Sequence, residues 1–223
     1  ARRTLIVGEM AMAAILLVGA GLFARTFTRL IQVDPGFVAS HAVTVSFALP
    51  QARYPEDGDA YRFYKQLVDR VSQASGVRAA GVTAGMPLSN DYLTSMSIEG
   101  RPIVPPADRP AVNYYGVSPG FFEAMGIRLV RGRLPTERDD AEAPRVAVVN
   151  ETLARQFFAG EDPIGRRIQV GMGSEAWCEV VGIVADTRQY GLRGETTAQF
   201  YQPYAQQPFS GMTLVVRTDR GPA

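Results

Sequence analysis

The sequence predicts an α+β protein in which one membrane-spanning helix and its stalk precede a domain of mixed strands and helices. Three observations support this prediction. Residues 5–24 are apolar except for one charge, residues 41–85 read as strand, helix and strand, and strand-like alternation continues towards the end of the 223-residue chain. The part after the apolar run is long enough to bury a core of its own, as one large or two small domains.

The first predicted element is a helix over residues 4–33. Its apolar part, residues 5–24, would be about 30 Å long as a helix, which matches the hydrocarbon thickness of a bilayer. Glu9 lies close to the start of this run, where its carboxylate can reach headgroup water at a lower cost than at mid-membrane. The pattern therefore predicts a single membrane span that continues into a stalk.

Two other structures share some of these features. A cleavable signal peptide also begins with basic residues, here Arg2 and Arg3, but its apolar region is shorter and no helix need follow it. A buried helix of a soluble protein is the second alternative. For a membrane span, the same two arginines favour a cytoplasmic start, although Arg25 and Arg29 after the run reduce the charge asymmetry.

A short glycine motif lies inside the apolar run. Residues 19–24 have the G-x-G-x-x-A spacing of a dinucleotide-binding turn, which needs a strand before it and a second strand that ends in an acid about 20 residues later. The apolar pattern is too long for a strand, and Asp34 is followed at once by Pro35 and Gly36, where the helical pattern stops. We therefore predict no cofactor site here.

Composition excludes several classes of function. The chain has 23 basic and 22 acidic residues with its arginines scattered, so nucleic-acid binding has little support. Cys178 and His41 are the only cysteine and histidine, which argues against an intrachain disulfide, a histidine-rich zinc site and a serine triad. The sole lysine, Lys65, follows a tyrosine, so the sequence contains no P-loop for ATP. We expect neither an enzyme nor a metal or cofactor protein.

The next elements are predicted to form a strand–helix–strand unit. Residues 41–50 alternate apolar and small polar residues up to a proline, which is typical of a strand. Over residues 59–75 apolar side chains recur every three or four positions on one face of a helix, and Gly76 ends it. Residues 77–85 then return as a strand, so the helix must pack on a sheet.

The middle of the chain is more irregular. Short strands are predicted on either side of a proline-rich connection at residues 101–110. Ser118 and Pro119 begin a short helix, with the serine as its N-cap, and Gly126 ends it. The acids of the charged loop at residues 131–144 lack the spacing of a calcium loop and are predicted to be solvated.

A group of polar residues in the stretch 145–170 resembles a catalytic cluster: Asn150, Glu151, Arg155, Glu161, Asp162 and Arg166. A structural interpretation explains them better, because Asn150 can cap a helix after a strand that ends at Val149, and no carboxylate pair has a reason for a raised pKa. Strands are predicted at three further places, residues 177–186, 198–204 and 212–218. Cys178, in the first of these, is predicted to be a core thiol.

Four phrases, in this order, resemble one protein family: RRTLIVGEMAMAAILLVGAGLFARTFTRLIQVDPGF, VSPGFFEAMGIRLVRGR, VAVVNETLARQFFAGEDPIGRRI and EVVGIVADTRQYGL. They are similar to the first membrane helix and the extracytoplasmic core of MacB-like, FtsX-related ABC transporter permeases, and most of all to the duplicated orphan permease branch. The resemblance covers nearly all of the chain, and four phrases in order are more specific than any single motif.

The resemblance implies a divided domain. Residues 41–87 and 176–223 would form a porter-like subdomain, which a strand-rich, sabre-like insertion of residues 88–175 interrupts, after a membrane helix and stalk at residues 1–34. It also implies a protein of the inner membrane whose main domain is periplasmic. Because the family has a returning stalk and further spans, we expect the sequence to be a fragment of a longer permease.

The resemblance also implies a function and its partners. Such permeases have no ATP site of their own, so the implied partners are an ABC ATPase subunit or domain, a second permease half or homodimer mate, the lipid bilayer and a periplasmic adaptor. The helix would relay ATP hydrolysis to the outer domain for export or mechanical work, with Pro35 and Gly36 as a hinge. The alternative is a membrane-tethered extracytoplasmic domain that senses a ligand.

Overall fold

The computed structural model describes residues 2–31, 33–89, 92–102, 104–172, 176–191 and 194–219. The chain divides into two compact units, Ala1–Pro35 and Gly36–Ala223. Its elements confirm the predicted α+β class, with an apolar helix ahead of a domain of strands and helices.

The first unit contains one helix, α1 (Arg2–Ile31). Its segment Ile6–Thr28 is 23 residues long and strongly apolar, and none of its most apolar window is buried, so it has the length and composition of a membrane span. A signal sequence near the N-terminus can also be a long apolar helix. The alternative of a buried core helix does not fit, because the apolar window is not buried. Residues 15–26 are helical throughout, so the glycine motif does not form a phosphate-binding turn.

The second unit is built on one sheet of ten strands in the part of the chain that is described. The strands are β1 (Ala42–Ala48), β2 (Val77–Ala84), β3 (Tyr92–Ile98), β4 (Ala111–Val117), β5 (Leu129–Gly132), β6 (Val146–Asn150), β7 (Arg167–Val170), β8 (Trp177–Val184), β9 (Gln199–Pro203) and β10 (Gly211–Thr218). In the described part of this unit the α-helices are α2 (Asp57–Ser72), α3 (Phe121–Met125) and α4 (Glu151–Phe157), and a short 3-10 helix covers Pro106–Asp108.

Six of these strands form a closed circuit. β9 pairs with β6 on one side and, in parallel, with β4 on the other, so the order β4-β3-β7-β8-β6-β9 returns to its own start. β2, β10 and β1 extend from β4 as an antiparallel sheet, and β5 pairs with β8. Closure pairs backbone groups that would otherwise lie at sheet edges.

Alternation along the strands divides the apolar side chains between two cores. Val112 and Tyr114 of β4 lie in one buried cluster, whereas Tyr115 and Val117 of the same strand lie in another. The first cluster takes residues from all six strands of the circuit, so it fills the interior. The second cluster includes residues of α3 and Val215 of β10, and it covers the outer face of the circuit. Successive side chains of a strand point to opposite faces, so the register of each strand determines which core it supplies.

The predicted helix at residues 59–75 is confirmed as α2, with both ends a few residues earlier. Near its start, the Asp59 carboxylate accepts the Glu56 N–H at 3.4 Å. Tyr64 on the inner face of α2 is fully buried and donates its hydroxyl to the Ser210 carbonyl at 2.8 Å. α2 thus packs on the antiparallel extension, as the strand–helix–strand prediction requires.

Two local predictions are wrong, because Ser118 bonds a strand that is distant in sequence and Asp139 bonds an arginine of its own loop. Ser118 does not cap α3: its hydroxyl accepts the Val82 N–H at 2.9 Å, and the N-cap is Gly120. Asp139 is not a solvated acid, since it is only 6% exposed and accepts two hydrogen bonds of 2.8 Å from Arg133. These bonds hold the pKa of Asp139 below its usual range.

Strand pairing crosses the predicted division of the domain. β8 and β9, which come from the predicted porter-like part, pair with β7, β6 and β4 of the predicted insertion. Membership of one sheet does not test whether two parts of it move separately. The division into residues 41–87 with 176–223 and residues 88–175 therefore stays a prediction.

Candidate functional site

The backbone that leads into β1 is bound to the rest of the domain, and we call residues 36–41 the neck segment. Val38 donates its N–H to the Met125 carbonyl at the end of α3 at 2.9 Å. At the other end of the segment, the carbonyl of His41 accepts the N–H of Thr218 from β10 at 2.9 Å. The neck segment is therefore tied to two elements that are far apart in sequence.

Arg217 of β10 makes the largest set of contacts to this region. Its guanidinium donates to the carbonyls of Val38 at 2.6 Å, Ser40 at 2.9 Å and Ala124 at 2.9 Å. The planar fork of arginine can serve several acceptors at once, which a lysine ammonium does less well. Burial, followed by the charge of Arg78, lowers the pKa of Arg217, because both disfavour the cation.

Gly36, one half of the predicted hinge, begins the neck segment in a conformation that favours glycine. Its φ is +81°, and a Cβ on this residue would lie 1.9 Å from the carbonyl oxygen of Asp186. The close approach of the two backbones therefore depends on glycine. Pro35, the other half, belongs to the first compact unit. The hinge role of the pair stays a prediction.

Asp186, which follows β8, joins this strand to the start of α4. One carboxylate oxygen accepts the Asn150 amide at 2.7 Å and the Thr152 N–H at 2.8 Å, and the other accepts the Thr152 hydroxyl at 2.7 Å. Asn150 also caps α4, as predicted, by accepting the Leu153 N–H at 3.0 Å. Because the carbonyl of Asp186 lies against Gly36, Asp186 links the neck segment to the start of α4.

A row of buried polar side chains continues from Asp186 into the domain. The side-chain oxygen of Gln199 accepts the hydroxyls of Thr187 and Tyr201, each at 3.1 Å, and its amide donates to the Thr187 carbonyl at 2.9 Å. Tyr201 stacks on Tyr115 with ring centroids 4.8 Å apart. Burial raises the pKa of Tyr201, which keeps the hydroxyl neutral. Buried polar groups bonded in this way favour one rigid arrangement.

The polar cluster noticed in the sequence separates into two groups. Asn150 and Arg155 lie near Asp186, and Arg155 donates to the Thr152 hydroxyl at 2.8 Å. Others form exposed ion pairs, Asp162 with Arg131 at 2.7 Å and Glu161 with Arg166 at 3.5 Å. Exposed pairs of this kind contribute little. Among the residues described, no group of three or more histidine, cysteine or acidic side chains could hold a metal.

Sequence reasoning does not identify Asp186, Thr152 and Arg217 as parts of one site. The sequence offers a weak signal for Asp186, an acid directly after a buried strand. It offers none for Arg217, because the partner Ser40 is 177 positions away along the chain. Only the pairing of β1 with β10 brings the two together.

Comparison with known proteins agrees with this architecture. The profile of the MacB-like periplasmic core domain matches residues 4–221. The macrolide export ATP-binding/permease protein MacB of Aggregatibacter actinomycetemcomitans is 30% identical over 95 residues, which are 43% of this chain and 14% of that protein. MacB 2 of Aeromonas hydrophila, described in the same words, is 29% identical over 116 residues, 48% of this chain and 17% of the relative. The chain thus spans a small part of the length of these relatives.

Among solved structures, the periplasmic region of MacB from Actinobacillus actinomycetemcomitans has a similar fold. The two chains are 18% identical with a TM-score of 0.54, and the match covers 87% of this chain and 82% of that one. At this level of identity the likeness concerns the fold alone.

Proposed function

The chain belongs to the MacB-like periplasmic core domain family, and from this premise we propose that it relays movement between a membrane helix and the outer domain of an ABC transporter permease. ATP hydrolysis by a partner would drive the movement, and export or mechanical work would use it. The chain is the periplasmic part of such a permease, and its sequence contains no P-loop.

The neck segment is the observation that supports this function most directly. Gly36 lies against Asp186, and Arg217 holds the carbonyls of Val38 and Ser40. Any displacement of the chain ahead of Gly36 must pass through these residues, because the backbone is continuous. A neck segment that is bound in this way would pass the displacement to α3, β8 and β10 instead of absorbing it.

We place the joint of this relay at Pro35 and Gly36. Gly36 is its fixed end, since its backbone contacts Asp186. Pro35 restricts its own φ and also the conformation of the residue before it. A joint with these two restrictions would limit the directions in which the helix can move, and hinges are commonly a few residues at the end of an element.

The proposed partners are those of the family. They are an ABC ATPase subunit or domain, a second permease half or a second copy of the chain, the lipid bilayer around α1 and a periplasmic adaptor. The relatives are described as ATP-binding/permease proteins, which supports a coupling to ATP hydrolysis. Residues 41–87 with 176–223 would be the porter-like part and residues 88–175 the sabre-like part, on the outer side of the inner membrane.

The experiment is to replace Pro35 and Gly36 together with alanine in the intact permease and to measure transport per ATP hydrolysed. We expect ATP hydrolysis to persist while transport falls, because two alanines change both the restriction at Pro35 and the contact at Gly36. Gly76→Ala alters another glycine of positive φ, outside the neck segment, and should leave coupling unchanged. If the double variant transports as much per ATP hydrolysed as the unchanged permease, Pro35 and Gly36 do not form the joint.

A further inference from the structure

A large open cleft lies beside β3, β7 and β8 and shares no residue with the neck segment or with the polar row next to it. Its volume is about 870 Å³, within the range of sites that bind small molecules. Its wall is completed by Phe157 at the end of α4 and by residues 100–102, 104 and 108–110, which lie between β3 and β4. The relay described above does not use this cleft.

Much of the wall of the cleft is apolar. Its partly or fully exposed apolar side chains are those of Pro102, Val104, Pro110, Phe157 and Trp177. The buried side chains of Met96, Ile98 and Val170, which belong to the interior cluster, lie behind this surface. Ser97, Gln169 and Trp177 lie side by side across β3, β7 and β8, because Ser97 pairs with Gln169 and Gln169 pairs with Trp177. A surface of this composition would favour the hydrocarbon part of a ligand and offer it few polar groups.

Two arginines give the cleft a positive charge. The guanidinium of Arg101 donates to the Phe157 carbonyl and lies 5.3 Å from the centre of the Phe158 ring, and Arg109 donates to the Val104 carbonyl at 3.1 Å. Asp108 is the one acid among the lining residues. In the described part of the chain neither arginine has an ion pair with a carboxylate.

We propose that the cleft binds a single-chain amphiphile with a carboxylate head group, of the fatty-acid type. The apolar wall would cover the hydrocarbon chain, and the two arginines would receive the head group, for which their planar forks are suited. Two arginines and one aspartate leave one net positive charge, which matches the single negative charge of such a ligand. The cleft would thus be a binding site separate from the mechanical relay.

The cleft contains its own reporter, because Trp177 is the only tryptophan of the chain. The full chain in uncharged maltoside micelles would be titrated with dibromostearate, whose bromine atoms quench tryptophan on contact, and with its methyl ester. The ester has the same chain and bromines without the charge, so it controls for partition into the micelle. We expect saturable quenching by the acid and quenching by the ester that is about tenfold weaker. Equal quenching by the two would overturn the proposal.

Arg109→Gln tests the head-group contact with little risk to folding, since Arg109 is half-buried and its contact is to a loop carbonyl. Arg70→Gln, at an exposed arginine of α2, is the matched control. We expect Arg109→Gln to weaken quenching by the acid about fivefold and to leave the ester unchanged. If Arg109→Gln and Arg70→Gln bind the acid equally well, the cleft does not use this arginine and the assignment fails.

Discussion

Gly36 and Gly76 have almost the same backbone conformation in different surroundings. Their φ angles are +81° and +82°, but a Cβ at Gly36 would meet the Asp186 carbonyl, whereas nothing lies within 4 Å of one at Gly76. Alanine at either position has the strain of a positive φ, which costs about 1 kcal/mol. Only Gly36→Ala must also move two backbones apart, which costs a further ~1–3 kcal/mol.

We therefore expect Gly36→Ala to lower the free energy of unfolding by about 2–4 kcal/mol and Gly76→Ala by about 1 kcal/mol. Urea unfolding of the full chain in micelles, followed by the emission of Trp177, measures both. Similar losses in the two variants would mean that the neck segment is not held against Asp186.

Single residues could be predicted from sequence where the regular geometry of one helix or strand determines their surroundings. The Asn150 cap and the buried thiol of Cys178 are both confirmed, because a cap bonds within one turn and alternation within one strand marks its inner face. The sequence pattern predicts that Ser118 caps the nearest helix, yet its hydroxyl accepts the N–H of Val82, 36 positions away. The contacts of Asp186 and Arg217 could not be predicted for the same reason, because only the folded sheet brings their partners close.

At the scale of elements, α1 carries the largest exposed apolar surface. Leu17 and Val18, near its centre, are 77% and 61% exposed, so this helix needs lipid or a partner around it. Two arginines at these positions would raise the cost of membrane insertion by about 5–7 kcal/mol.

We expect Leu17→Arg/Val18→Arg to shift most of the full chain from the carbonate-resistant membrane pellet to the supernatant or to degradation. Leu17→Ile/Val18→Leu, which keeps the helix apolar, should stay in the pellet. A doubly charged variant that remains in the pellet like its control would show that α1 does not cross the bilayer.

Elements with strong periodicity could be predicted, and their pairing could not. α2 and the strands of the strand–helix–strand unit follow from apolar spacing. β5 (Leu129–Gly132) gives no such signal, because it is short and mostly exposed. The parallel pairing of β4 with β9 closes the circuit, but the spacing of residues in one strand does not specify a partner so distant in sequence.

In the whole molecule, one sheet contains both a closed circuit of six strands and an antiparallel extension. The closed circuit supplies a dense interior, and its outer face shares a second core with α3 and β10. The neck segment, α3 and β10 meet around Arg217, so in the proposed relay a displacement of the neck segment would act on the core rather than on a loop. Four phrases of sequence predict the MacB-like family, which the family comparison confirms, whereas the periodicity of apolar residues predicts the α+β class. Neither predicts the closed circuit.

The proposed function requires that α1 crosses the inner membrane and that the domain lies outside the cytoplasm. Cysteine labelling tests it, because the only native cysteine, Cys178, is buried. Glu142, exposed in the loop before β6, would be changed to cysteine in a Cys178→Ser background, with the wild-type chain as the unlabelled control. We expect a maleimide that cannot cross the inner membrane to label Glu142→Cys equally in intact and in lysed cells. Labelling of this cysteine only after lysis would place the domain in the cytoplasm and contradict the account.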